Sequence, residues 1–273
     1  MEVSDLVGVL RLEGSDGAWR ARSLPGPGPV VFGGQLLAQS VVAGATIDPA
    51  KEVQSISTVF ARGARPDQPL EIDVDTLSTG RSFSSASVTI RQGDRCCARS
   101  LVLLSAPDPD RIRHAPRIPS IPVPDGPGRS AHGLEGWELL VDAGVDLADP
   151  DATGPAELQV WSRFGGAAGG HPYDQALLAY ASEGFLIGTA MRPHPGIGQA
   201  QAHVSVDTTV LAHQVVFHEP FRAGEWLLMT FDSPYAGRGR SYGRGQVFDA
   251  DGILVASICQ QNMIRDFPQG RTS

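Results

Sequence analysis

The sequence holds a single lysine, Lys51, three cysteines, and no apolar run of the roughly 18 residues that a membrane-crossing helix needs. A transmembrane helix is therefore excluded. Cys96 and Cys97 are adjacent and Cys259 stands alone, so neither a disulfide framework nor a CxxC zinc pair can be drawn. A reducing, cytoplasmic setting is expected. The opening MEVSDLVGVLRLEGSDG lacks the basic and apolar regions of a secretory leader. Basic residues number 22 against 30 acidic ones, and the net charge of −8 excludes a general nucleic-acid or anionic-membrane surface. Because nearly every cation is arginine, bidentate binding of a local phosphate stays open. Walker A, HExxH and a full GxGxxG are missing. Neither metal nor cofactor is expected.

What is present is an ordinary globular composition, 41% apolar and 19% charged, in 273 residues. That length allows one large domain or two medium ones. Self-comparison decides between them. Gly80-Arg81-Ser82-Phe83 recurs as Gly239-Arg240-Ser241-Tyr242, 159 residues later. Val59-Phe60 recurs as Val216-Phe217 at an offset of 157, and Leu36-Leu37-Ala38 as Leu177-Leu178-Ala179 at 141. Turn signals follow both copies, at Gln92-Gly93-Asp94 and Asp251-Gly252. Matches in one order point to a duplicated unit.

Each copy begins with a segment that is apolar nearly all round, QLLAQSVVAGA after Gly33-Gly34 and then 174–191, which marks an enclosed helix. Period-two runs follow at 55–61, 70–77, 84–91 and 97–105, and again at 208–218, 225–232, 241–248 and 253–261. One buried helix followed by four antiparallel strands, twice, predicts an α+β protein in which each sheet wraps a central helix. Residues 106–130 hold seven prolines and read as a surface linker, followed by a short helix around 134–143. The expected units are 1–105 and 158–273, joined by 106–157, with a fraying tail over 266–273.

Two motifs carry less than they promise. Gly239-Arg240-Ser241-Tyr242-Gly243 matches the G-x-S-x-G elbow, but a strand follows it and the last histidine is His218, before the serine. His203, His213 and His218 are better read as structural or hydrogen-bonding residues than as metal ligands.

VFGGQLLAQS, DTLSTGRSF, LLAYASE, VVFHEPF, EWLLMTFDSPYAGRGRSYGRG and DGILVASICQ together resemble the acyl-CoA thioesterase II family, from about Val30 to Arg265. The resemblance implies a double hotdog, hydrolysis of acyl-CoA to acid and CoA, and a homo-oligomer. It also implies a water-activating aspartate, threonine and glutamine from the second unit. The glutamine falls on Gln260. The aspartate falls on Glu183, one methylene longer. The threonine falls on Val210, which has no hydroxyl, and Thr208, on the same strand face, is the substitute.

The residues support this chemistry directly. Glu183 lies among Leu177, Leu178, Phe185, Leu186 and Ile187, where burial raises a carboxyl pKa toward the range of a general base. Gly33, Gly34 and Gln35 open the first buried helix and offer backbone N–H groups to an oxyanion. Arg238, Arg240 and Arg244 are candidates for the phosphates of CoA. Val42 occupies the position equivalent to Glu183 in the first copy, so one chemical site per chain is expected. Two alternatives stay open: enoyl-CoA hydration using His171 and Asp174, and acyl-CoA binding without catalysis, which the loss of the threonine would suit.

Overall fold

A computed structural model describes residues 1–25, 28–131, 133–141, 144–166 and 169–266. The chain opens with helix α1, Val3–Leu10, and a hairpin of β1, Glu13–Ser15, and β2, Ala18–Ala21. Val3, Leu6, Val7 and Leu10 face inward, the i, i+3, i+4, i+7 stripe of an amphipathic helix. The central helix α2 runs Gly33–Ala45, and every residue from Gly34 onward is buried. Its strands are β3, Glu52–Phe60; β4, Leu70–Thr79; β5, Phe83–Gln92; and β6, Arg95–Ser105.

Three strands then precede the second helix: β7, Arg129–Ala131; β8, Leu134–Val141; and β9, Glu157–Phe164. The short helix expected at 134–143 is strand β8, with 142–143 outside the described residues. Leu134 and Trp137 have helical spacing. Gly136 between them sits at φ +88°, where a right-handed helix cannot continue. Pairing with β9 lets Trp137 stack on Phe164 and donate to Ser162 Oγ at 3.0 Å. That packing and the ladder outweigh the helical pattern.

The second copy comprises α3, Tyr173–Ser182; α4, Leu186–Met191; β10, Val206–Phe217; β11, Leu227–Gly237; β12, Arg240–Phe248; and β13, Leu254–Asp266. The single helix expected over 174–191 is thus broken at Glu183–Phe185. The remainder of the expected fraying tail, 267–273, lies outside the described residues.

All thirteen strands join one sheet, ordered β1-β2-β4-β5-β6-β3-β10-β13-β12-β11-β9-β8-β7. The two copies meet where β3 pairs antiparallel with β10, and the order β4-β5-β6-β3 is repeated in reverse as β10-β13-β12-β11. That is the signature of a two-fold axis through the seam, and the ladder is centred on Ser57 opposite Gln214. One apolar core runs through both copies, and the start of α2 lies against the end of α3.

Candidate active site

Glu183 caps the C-terminal end of α3, still in helical conformation, just before the break. It is 7% exposed, and burial alone pushes its carboxyl pKa up from 4.5 to about 8. The first residue of α2, Gly33, faces this carboxylate so closely that a Cβ there would fall on Glu183 Oε1 and lie 3.2 Å from Cδ. The aromatic ring of Phe60, from the end of β3, closes the same spot. A Cβ on Gly34 would strike the Phe32 ring and the backbone carbonyl of Tyr180. The glycine pair is therefore required by close approach of two helix ends rather than by an unusual φ. Tyr180, in an edge contact with Phe32 at 5.0 Å, has its phenol pushed up to about 12 by burial and then by the charge of Glu183.

The three helix-opening residues differ in their freedom. The Gln35 amide donates to Phe32 O at 3.0 Å. Its side chain is also occupied, accepting from Leu24 N at 2.9 Å and donating to Arg22 O at 3.2 Å. Gln35 ties residues 22–24 to α2, and Gln39 one turn later does the same through Arg22 O and Val9 O. Among the described residues, the amides of Gly33 and Gly34 have no backbone acceptor. They are the unpaired donors of a helix start and give that end its partial positive charge.

Gln260 is buried on the inner face of β13, directly opposite His213 of β10. Its Oε1 is 2.6 Å from His213 Nδ1. A carbonyl oxygen only accepts, so Nδ1 carries the proton. The other ring nitrogen, Nε2, is 2.9 Å from Ser182 Oγ, the residue before Glu183. Burial drives the His213 pKa down to about 4, despite the opposing hydrogen bond it donates to Gln260, so the ring is neutral near pH 7. Gln260 Nε2 in turn donates to Asn262 Oδ1 at 2.7 Å, and Asn262 Nδ2 to Ser241 Oγ at 3.1 Å. All five side chains are buried.

Sequence periodicity missed His213 for a definite reason. The β10–β13 ladder skips a residue between Val210 and Ala212. Thr208 and Val210 face inward before this bulge, and His213, Val215 and Phe217 after it. One extra residue moves the inward set by one position. Thr208 is buried but pairs with Ile264, four ladder positions from Gln260, roughly 13 Å along the strand. Val210, opposite Asn262, stands nearer. The structure therefore joins Glu183 with Gly33 and joins Gln260 with His213, and leaves Thr208 apart from Gln260.

Arg238 and Gly239 form a two-residue hairpin turn with φ +56° and +72°. Arg238 and Arg240 are exposed at that turn. Arg244 lies on the outer sheet face, where its Nε is 3.0 Å from both carboxylate oxygens of Asp232. Its charge is already matched. The alternative pair is also committed: Asp174 accepts from Gly170 N at 2.6 Å and Ala223 N at 2.9 Å, while His171 donates to Gln175 Oε1 at 3.1 Å. Asp174 holds a loop against α3, and both His171 and Asp174 line an open cleft. Ser241, the serine of the rejected elbow motif, is buried in β12 as the acceptor of Asn262.

Comparison with known proteins reaches both copies. Residues 21–105 match the family described as acyl-CoA thioesterase N-terminal domain, and residues 113–264 match the acyl-CoA thioesterase C-terminal domain. The chain is 28% identical over 286 residues to acyl-CoA thioesterase 2 of Haemophilus influenzae, covering 96% of this chain and 98% of that protein. It is 27% identical over 266 residues to acyl-coenzyme A thioesterase 8 of Mus musculus, covering 88% and 81%. Among solved structures, acyl-CoA thioesterase II TesB2 from Mycobacterium marinum superposes with a TM-score of 0.81 at 27% identity, over 98% of this chain and 100% of that one. A hot dog fold protein from Alicyclobacillus acidocaldarius, 16% identical, shares the fold at a TM-score of 0.77 over 97% and 99% of the two chains.

Proposed function

We infer the working of this site from the premise that the chain belongs to the acyl-CoA thioesterase family and, as a double hotdog of that family, hydrolyses acyl-CoA thioesters. The observation that carries the assignment of residues is the buried carboxylate of Glu183, from the second copy, set against Gly33 at the head of the first copy's helix.

In our reading, Glu183 and Gln260 hold a water beside the thioester carbonyl. The ionised carboxylate takes a proton from that water as its oxygen bonds to the carbonyl carbon. Negative charge moves to the carbonyl oxygen, where the unpaired N–H groups of Gly33 and Gly34 receive it. The intermediate collapses, the C–S bond breaks, and the departing thiolate takes the proton back from Glu183. A positioned base contributes ~10²–10⁴-fold, and one preorganised oxyanion donor ~10²–10³-fold. The backbone N–H of Gln35 is already donated to Phe32 O, so the oxyanion role rests on the two glycines. Thr208 is the candidate hydroxyl only if the strand shifts toward Gln260. Arg238 and Arg240, with no ion-pair partner among the described residues, are the candidates for the phosphates of CoA, whereas Arg244 must first leave Asp232. Self-association is supported by exposed apolar residues on the outer sheet face, Val59 and Leu101, and a cytoplasmic setting by three free thiols.

The test is thiol release from acetyl-, butyryl-, octanoyl- and palmitoyl-CoA, with light scattering on the same preparation to give its mass. Glu183→Ala and Gln260→Ala are expected to slow turnover at least about tenfold while remaining folded. Near-normal rates in both would place the chemistry elsewhere. Tight binding with no hydrolysis of any chain length would make this a binding protein.

A further inference from the structure

The seam carries two rows of inward side chains related by its two-fold axis, one step either side of Ser57–Gln214. One row is Val102–Ile56–Val215–Ile258, apolar throughout. The other is Ser100–Thr58–His213–Gln260, polar throughout. Both are buried to within 4% of complete. The apolar row demonstrates that the fold closes this layer without polar atoms. Burying polar groups costs stability unless every one finds a partner, so the polar row answers a need other than packing.

We propose that His213 is a positioning residue that fixes the carboxamide of Gln260 for hydrolysis, as the centre of the chain Ser182–His213–Gln260–Asn262–Ser241. The proposal rests on the assignment of Gln260 to the active site made above. A glutamine side chain turns freely about its terminal bond, and a freely turning amide cannot hold water in one place. Here its oxygen is held at 2.6 Å by the imidazole and its nitrogen at 2.7 Å by Asn262. One N–H hydrogen and one oxygen lone pair remain unused, the complement needed to hold a water and face a carbonyl. The opposite edge of the ring meets Ser182, whose neighbour is Glu183. The helix end that sets the base and the strand that sets the amide thus share one anchor. The neutral ring, required by its buried position, keeps a proton on the nitrogen facing Gln260, and its other nitrogen meets Ser182 Oγ, whose single proton is shared between that nitrogen and Ala179 O.

The test compares His213→Phe, His213→Gln and Ser182→Ala as purified full-length proteins on the best acyl-CoA substrate. His213→Phe is expected to lower kcat roughly tenfold or more with KM within about twofold, since positioning acts on the transition state. Its pH–rate profile should keep the parent's inflection, because His213 does not titrate in the reaction. His213→Gln, which restores a donor to Gln260, should recover most of kcat. Ser182→Ala should fall between, and it keeps the question answerable if the phenylalanine variant does not fold. A folded His213→Phe with kcat within twofold of the parent overturns the proposal. So does loss of the pH inflection, which would make His213 the base itself. If Gln260→Ala is impaired while His213→Phe and Ser182→Ala are not, the positioning role fails and the active-site assignment stands. If Gln260→Ala is itself unimpaired, both fall.

Discussion

Glu183 is held in an environment that opposes its charge, with a pKa of about 8 caused by burial. Near pH 7 most molecules carry it protonated, and the base form grows tenfold per pH unit below the pKa. We therefore expect kcat/KM to rise with pH, bend near pH 8 and level off above it, and a rate flat from about pH 6 to 9 would sink Glu183 as the base. The same shift has a sign for stability. The folded pKa is raised above the ordinary 4.5, so the folded state holds a proton that the unfolded chain releases. This contribution is fully present below pH 4.5 and is lost as pH rises through about 8. Glu183→Gln removes the dependence. Its Tm should exceed the parent's above pH 8, and the difference should shrink toward pH 4.5. The apolar neighbours Leu177, Leu178, Phe185 and Leu186 made this burial legible in the sequence. The sequence marked His213 only as a structural or hydrogen-bonding residue and not as a neighbour of Gln260, because its inward direction depends on the one-residue bulge after Val210.

At the scale of elements, the site is a meeting of two helix ends. The sequence marked Gly33-Gly34 as a helix opening, and the structure gives the glycines a second task, admitting the carboxylate and the carbonyl of the facing helix. Alanine at 33 meets no backbone strain and is favoured over glycine in a helix by about 1 kcal/mol. A general helix effect would leave Gly33→Ala active and slightly more stable. The collision with Glu183 Oε1 predicts instead a folded protein with kcat reduced roughly tenfold or more, read by steady-state kinetics beside a thermal melt. Unchanged kcat would mean that the carboxylate can work from another place. The break after Glu183 was not legible, since 174–191 reads as one largely apolar, helix-length segment in which Gly184 is only a weak sign of an end. Nor was β8, where helical spacing competed with a glycine at positive φ and a waiting β9 partner.

The whole molecule is two copies sharing one sheet and one core rather than two beads on a string. The proline-rich connection carries little of that union. Arg111, Arg113 and Arg117 lie exposed in it, with no helix or strand from 107 to 128 among the described residues. Brief trypsin treatment should cut there, and the two fragments should elute together on size exclusion with most of the thioesterase activity retained. They are held by the β3–β10 ladder and the facing helices. Separation of the fragments, or inactivity of a complex that stays together, would show that the connection itself shapes the site. The sequence by itself determined the duplication, the enclosed helices, the eight strands that follow them, and the presence of one carboxylate where the other copy has Val42. These are local patterns, written in periods of two and 3.6 residues and in turn chemistry. Only the tertiary structure decided that Gly33 meets Glu183 and that His213, not Thr208, faces Gln260. Those pairs join residues far apart in the chain, and a single bulge reverses which side chains point inward.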